Sequence, residues 1–188
     1  MKGLLIPLAL MAGLSVGSLH GQPVSVTQVT EGWLNVGGRW DVDKKGVVSG
    51  LGFLKYNGDQ PLNFRFRGEL KIDEFRKGAE GGSRFEICFR RNPAEEWPTY
   101  LLRIRADAIA LVRWDQGKKT LDEIKVDVPT GKWIKLELQM SGGKIQARIG
   151  KKIRLKAVDP TPIEHKIFLL CAMGMKVQLK DLDLAARK

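Results

Sequence analysis

The sequence has very little histidine and cysteine, and this scarcity removes several classes of active site. Of its 188 residues, two are histidine and two are cysteine. No Cys-x-x-Cys, His-Glu-x-x-His, Gly-x-Ser-x-Gly or glycine-rich phosphate loop occurs. His165 lies between Glu164 and Lys166, a setting more typical of a loop or a strand edge than of a catalyst. We therefore expect no metal site, no cofactor and no histidine-based triad.

The acidic residues lack the spacing that sandwich glycosidases use. Those that cleave β-glucans carry Glu-x-Asp-x-Glu on one strand, and retaining chemistry needs two carboxyl groups about 5 Å apart. Glu69 and Asp73 are instead four residues apart, and Glu86 is alone in its predicted strand. Glu95 and Glu96 are adjacent, so extended backbone would point them to opposite faces.

Period-two alternation is the main pattern, and no helical periodicity is convincing after the N-terminal segment. From Leu62 to Ile72 every second residue is apolar, except Gly68, which takes one of these positions. The residues between them are charged from Arg65 to Asp73. Such a segment predicts a half-buried strand with a charged outer face. The pattern recurs in residues 85–89, 134–140, 145–149 and 177–179. We predict an all-β sandwich of two antiparallel sheets with a shared core: Phe64, Phe66, Leu70, Ile72, Phe85, Ile87, Phe89, Leu136 and Leu138.

Local signals refine this prediction. Residues 145–155, interrupted at residues 150–152, predict a hairpin with a tight turn. The apolar parity switches between Leu179 and Leu182, which predicts a β-bulge between them. Cys88 is predicted to point away from the apolar side of its strand, whereas the parity of Cys171 is ambiguous. Whether these cysteines form a disulfide stays open, because a bridge needs Cα atoms within about 7 Å.

The N-terminal segment 1–21 has the layout of a secretory signal peptide. Met1 and Lys2 form a short positive start, residues 3–16 are apolar, and residues 16–21 are rich in small side chains. The alternative is a retained anchor, for which the apolar segment is short. We expect one domain over residues 22–188, no transmembrane segment, and a secreted or periplasmic location after cleavage. The oligomeric state stays open.

The chain is strongly basic, with a net charge of +11. This charge favours anionic partners such as acidic polysaccharide, nucleic acid or a phospholipid surface. The solvated exterior of a sandwich would also place basic residues between core residues, so charge alone does not choose. We expect a carbohydrate partner, with anionic polysaccharide as one class, and no specific nucleic acid.

Several short motifs follow one another in an order that resembles a known family. They are Gly32-Trp33, Trp40-Asp41-Val42-Asp43, residues 63–70, residues 82–90, Tyr100 with residues 101–104, residues 129–134 and residues 177–182. Together they resemble the 3-keto-disaccharide hydrolase domain family. The resemblance covers nearly the whole predicted mature chain and implies a concanavalin A-like jelly roll that acts on glycosides.

The departures from this family bear on activity. Its glutamate and glutamine after the tyrosine correspond to Leu101 and Arg103, and two asparagines correspond to Ile134 and Ile149. Glu86 remains as the candidate catalytic base. The candidate ligand-binding residues are Arg90, Trp97, Tyr100, Arg103 and Trp114. Trp33, Trp40 and Trp133 are assigned to the core.

Three functions remain open: a glycan-binding module with weak or absent hydrolase activity, a glycoside-processing enzyme of the family type, and an envelope or surface scaffold protein. Aromatic rings would stack on sugars, and arginine would bind carboxylate or sulfate groups. If neighbouring strands pair, six arginines form one cationic patch: Arg65, Arg67, Arg84, Arg90, Arg103 and Arg105. The alternative is that these arginines divide between the two outer faces.

Overall fold

The computed structural model describes residues 26–76, 82–94 and 97–187. The predicted signal peptide, residues 1–21, lies outside these residues, as do Glu95 and Glu96. The described residues form twelve strands and no helix, which confirms the all-β prediction. The strands are β1 (Thr27–Thr30), β2 (Trp33–Val42), β3 (Val48–Tyr56), β4 (Phe64–Phe75), β5 (Arg84–Arg91), β6 (Thr99–Ile104), β7 (Ala108–Trp114), β8 (Lys118–Lys125), β9 (Trp133–Ser141), β10 (Lys144–Ile149), β11 (Ile153–Val158) and β12 (Ile167–Ala186).

The 20-residue strand β12 joins the two halves of the sandwich. Its first half, residues 167–173, pairs with β5, and its second half, residues 175–186, pairs with β4. From β5 the sheet continues through β6 and β7 to β8, and from β4 it continues through β9 and β10 to β11. All of these pairs are antiparallel, and β3 runs along the other side of β12. The two far ends meet again, because β11 contacts β7 and β8.

The core lies between these two halves and is the one predicted from alternation. All nine predicted core residues are buried in a single cluster. Rings from opposite halves meet there, with the Phe64 and Phe89 ring centroids 5.8 Å apart. Trp33 is buried as predicted. Trp40 is partly buried and packs against the core. The assignment of Trp133 to the core is wrong: its side chain is 37% exposed, because its strand neighbour Ile134 faces inward. Leu62 precedes β4 and is 48% exposed.

Two irregularities shape β12. Gly174 has a φ of 63° at the point where pairing passes from β5 to β4. Asp181 has a φ of 52°, and the register with β4 shifts between Lys180 and Asp183, which confirms the predicted bulge. The bulge turns Leu182 toward Gly68, where an added Cβ would come within 2.9 Å of the leucine side chain. Leu182 therefore occupies the space that the missing Gly68 side chain leaves.

A buried polar network closes one end of the core. The Tyr100 hydroxyl donates to Asp159 Oδ2 at 2.5 Å, and Arg113 Nη1 pairs with the same carboxylate. Burial and the hydrogen bond to Asp159 raise the pKa of Tyr100 to about 12. Burial would raise the pKa of Asp159, but hydrogen bonds from Tyr100, Thr161 and Arg113 outweigh it and bring the pKa below its usual value. The charged carboxylate is thus the stable form within this network.

We expect Asp159→Asn to lower the free energy of unfolding by about 3 kcal/mol, because it leaves the partly buried Arg113 guanidinium and the buried Tyr100 hydroxyl without their anion. Asp115→Asn is the matched control: Asp115 also pairs with Arg113, but it is 41% exposed and should cost less than about 1 kcal/mol. Chemical denaturation at neutral pH measures both values, and equal losses would contradict the prediction.

The same comparison carries a pH test. Because the folded pKa of Asp159 is lowered, its contribution is present above the unfolded pKa of about 3.9 and is lost as pH falls through the folded pKa. The stability difference between wild type and Asp159→Asn should therefore narrow below about pH 4. If the stability difference between wild type and Asp159→Asn stays constant as the pH falls below about 4, the ionised Asp159 carboxylate does not stabilise the fold as described.

Candidate functional site

The outer face of β5, β6, β7 and the first half of β12 is mainly apolar. Its side chains form a cluster separate from the core, and each of the six buried members is at most 8% exposed: Cys88, Leu101, Ala110, Val112, Leu169 and Cys171. The face continues on β3 to Phe53, which pairs with Cys171 and is 40% exposed. The prediction of a charged outer face, which holds for β4, is therefore wrong for the half of the sandwich that contains β5, β6 and β7. The six central members are buried, and exposed apolar area lies at the margins of the face, at Phe53 and Trp97. Exposed apolar area of this kind is typical of interaction sites.

Glu86 lies on this face between two arginines. The strand register places Cys171, Glu86 and Arg103 side by side. Glu86 Oε1 accepts hydrogen bonds from Arg103 Nε at 2.6 Å and from Arg84 Nε at 3.2 Å, and the Glu86 side chain is 5% exposed. These charge-assisted contacts make Glu86 a structural partner of the arginines. They also hold Arg103, a predicted ligand-binding residue, close to the sheet surface.

The acidic residue that shares this row with Glu86 has cationic partners of its own. Arg103 pairs with Ala110, and Ala110 pairs with Glu123 on β8. Three strand spacings of about 4.8 Å put the Cα atoms of Glu86 and Glu123 about 14 Å apart along the sheet. The Glu123 carboxylate contacts Arg105 at 3.4 Å and Lys125 at 3.3 Å, whereas the Glu86 carboxylate contacts Arg84 and Arg103. Each carboxylate is thus paired with its own cations, unlike the two facing carboxyl groups of glycosidases.

Trp97 and Trp114 come together at the margin of the apolar face. Their ring centroids are 6.5 Å apart with an interplanar angle of 29°, and Trp97 is 46% exposed. Trp114 is the last residue of β7 and lies on the same face of the strand as Val112. Trp97 lies just before β6, and its neighbour Pro98 accepts a hydrogen bond from the Asn92 N–H through its carbonyl. We call these two rings the tryptophan pair. Sequence reasoning proposed both residues, and the fold makes them one surface.

Lys118 is a member of this site that sequence reasoning missed. It pairs with Trp114 across the β7–β8 hairpin, and its Nζ lies 4.3 Å from the centroid of the Trp114 ring. The signal was present, because a turn at residues 115–117 sets position 118 opposite position 114 in a hairpin. The cation adds charge beside an otherwise apolar platform.

Tyr100 and Arg90 do not join the site. Tyr100 is 1% exposed and stacks on Phe89 inside the core, with ring centroids 5.3 Å apart. Tyr100 and Arg103 are three residues apart on one strand, so alternation places them on opposite faces. Arg90 has a φ of 56° and is 2% exposed, and its guanidinium donates to the Leu62 carbonyl. Both residues contact the protein interior, so neither presents a surface to a ligand.

The six arginines do not form one patch. Arg65 and Arg67 lie on the outer face of β4, opposite Gln139 and Glu137 of β9. Arg84 and Arg103 flank Glu86 on the other half, and Arg105 pairs with Asp107 and Glu123 beside the β6–β7 turn. The remaining arginine, at position 90, is buried. The structure thus shows the divided arrangement, because β4 and β5 belong to different halves of the sandwich.

The part of the chain that the structure describes contains no group of three or more histidine, cysteine or acidic side chains arranged to hold a metal ion. Within the same residues, no helix long and apolar enough to cross a membrane is found.

Solved structures with the same fold include three whose names refer to carbohydrates or their enzymes. Carbohydrate binding module CBM66 from Bacillus subtilis is 18% identical over 82% of this chain and 96% of the module, with a TM-score of 0.65. A putative glycosyl hydrolase from Parabacteroides distasonis is 16% identical over 86% of this chain and 91% of its own, with a TM-score of 0.58. Alginate lyase A1-II' is 7% identical over 82% and 86% of the two chains, with a TM-score of 0.60.

These identities show the fold alone. They confirm a jelly-roll β-sandwich, which is the fold that the motif resemblance implied. No protein-family model matches the sequence, and no curated protein matches it either. Membership of the 3-keto-disaccharide hydrolase family therefore stays a prediction.

The two cysteines meet on the apolar face as free thiols, with their sulfur atoms 3.5 Å apart. The hydrogen bond with Cys171 and burial raise the pKa of Cys88 well above its usual value. Thiols react as thiolates, so this environment lowers reactivity.

We expect iodoacetamide to alkylate Cys88 more than about tenfold more slowly in the folded protein at pH 8 than in guanidinium chloride. Mass spectrometry of tryptic peptides after timed quenching measures this ratio, and the unfolded protein supplies the control. Rapid labelling of the folded protein would contradict the assigned burial. A cross-linked peptide containing both cysteines would show that the pair oxidises instead.

Proposed function

We propose that this protein is a glycan-binding β-sandwich module that holds a sugar against the tryptophan pair. The observation that carries the proposal is the juxtaposition of the Trp97 and Trp114 rings with Lys118 at one margin of the sheet. Two neighbouring rings offer a rigid apolar surface at low entropic cost, and the C–H faces of sugars stack on such surfaces. The names of the structural neighbours support a carbohydrate partner, since they include a binding module, a putative glycosyl hydrolase and an alginate lyase.

The polar residues on this half of the sandwich suit recognition better than hydrolysis. Lys118 beside the platform can bind hydroxyl or carboxylate oxygens, whereas Glu86 is taken up by its two arginine partners. Arg103 lies further along the sheet, because its strand partner Ala110 is four residues from Trp114. Glu123, the acidic residue in the same row as Glu86, is paired with Arg105 and Lys125. The proposed activity is therefore binding without strong turnover. The N-terminal pattern of residues 1–21 supports export, which would bring such a module to extracellular glycans.

We expect Trp114→Ala to weaken binding to its best oligosaccharide by at least about tenfold, because it removes one of two stacked rings at the centre of the contact. Wild type and variant are compared on an array of neutral and acidic oligosaccharides and then by calorimetry on the strongest ligand. Trp133→Ala is the matched control, since Trp133 is 37% exposed on the other half of the sandwich and should leave affinity unchanged. Equal loss in both variants, or no binding to any glycan by wild type, would contradict the proposal; the second result would favour a scaffold role.

The catalytic alternative is tested at Glu86. We expect neither wild type nor Glu86→Gln to turn over 3-keto-glycosides or β-glucans. The variant should lose about 1–3 kcal/mol of stability, because two arginines lose a charged acceptor. Product formation is followed by chromatography, and denaturation reports the stability. Turnover by wild type that disappears in a folded Glu86→Gln would establish the enzyme reading and overturn binding as the main activity.

A further inference from the structure

The outer face of the other half carries a row of charged residues in strand register. Arg67 of β4 pairs with Glu137 of β9, Glu137 with Arg148 of β10, and Arg148 with Arg154 of β11. Glu137 accepts contacts from both flanking arginines, at 3.5 Å from Arg67 and 3.8 Å from Arg148. Burial would raise the pKa of Glu137. The hydrogen bond from Gln139 and the positive charges of Arg67 and Arg148 outweigh burial, so the pKa of Glu137 is lowered overall. The row therefore combines three guanidinium cations with one carboxylate.

Among the described residues, the Arg148–Arg154 pair has one carboxylate partner, Glu137, which contacts Arg148. Like charges directly opposite each other on antiparallel strands destabilise a sheet. Among the described residues no acidic side chain lies within ion-pair distance of Arg154, whose Nη1 donates to the Ile153 carbonyl beside it. Glu137 is already shared by two arginines. An added anion would relieve this repulsion.

These side chains line an open groove of about 520 Å³. Four cations line it, Arg67, Lys135, Arg148 and Arg154, and so do four carboxylates, Glu69, Glu137, Asp181 and Asp183. We call it the arginine groove after the charged row that crosses it. A second depression of about 260 Å³ follows in the adjoining row and is lined by Gln139, Ser141, Lys144, Gln146 and Arg187. Gln139 and Gln146 pair directly across β9 and β10, so the cationic row lies beside a row of amides.

We propose that the arginine groove binds the carboxylate or sulfate groups of an acidic polysaccharide. Guanidinium groups bind such oxyanions in a bidentate manner. The adjoining amides and serine can donate to and accept from sugar hydroxyls. This site lies on the opposite half of the sandwich from the tryptophan pair and does not depend on stacking there.

The arrangement favours a polysaccharide over a nucleic acid. Duplex DNA carries one negative charge per about 1.7 Å of its axis, which would set phosphates against Glu137 and the other carboxylates that line the groove, Glu69, Asp181 and Asp183. A chain with one acidic group per sugar spaces its charges more widely.

The test uses polygalacturonate and dextran sulfate as acidic probes, with neutral dextran and a DNA duplex for comparison. The double variant R148Q/R154Q should weaken binding to at least one acidic probe by at least about tenfold, as expected for the loss of two charge-assisted contacts. The matched control is K151Q/K152Q, which removes the same charge from exposed residues in the neighbouring β10–β11 turn. It should change affinity less than about twofold if the groove, rather than net charge, binds the polymer.

Calorimetry in 50 mM and 500 mM salt gives the affinities, and thermal unfolding checks that both double variants remain folded. Equal losses in the two variants would overturn the site, as would absence of binding to both acidic probes. Tighter binding to the duplex than to either polysaccharide would assign the groove to nucleic acid instead. Trp114→Ala should not change the affinity for acidic probes, because that affinity depends on Arg148 and Arg154. Failure of the tryptophan platform and failure of the arginine groove can therefore be told apart.

Discussion

The whole structure depends on one strand that belongs to both halves of the sandwich. β12 pairs with β5 along its first half and with β4 along its second, so the two halves are bonded through the same backbone. Its two left-handed residues, Gly174 and Asp181, permit the strand to change partners and then to change parity. Without the second change, Leu182 would not fill the space beside Gly68, and the core would contain a gap.

The two outer faces use the same alternation for different purposes. On β4, β9, β10 and β11 the outward parity is charged, and its ion pairs stay largely hydrated. On β5, β6 and β7 the outward parity is apolar and surrounds the paired Glu86. The arginine groove and the tryptophan pair therefore lie on opposite halves of the sandwich. This separation suits a module that makes two kinds of contact with a polymer, one apolar and one electrostatic.

The proposed sites were accessible to sequence reasoning to different degrees. Trp97 and Trp114 could be selected because they lie near turns, but only strand pairing makes them neighbours. Tyr100 was wrongly grouped with Arg103, although parity on one strand separates them. The arginine groove joins residues from four strands, and its row is defined by register between β4, β9, β10 and β11. Register depends on turns and packing that a single strand's pattern does not contain.

The sequence by itself determined the fold class, the nine core residues that alternation predicted, the hairpin at residues 145–155 and the bulge in β12. It could do so because side-chain alternation is a local property of extended backbone. Only the tertiary structure decided that the six arginines divide between two faces, that Arg90 turns inward, and that one outer face is apolar. These outcomes depend on which strands become neighbours and in what register, and pairing between distant segments is set by the packing of the whole core.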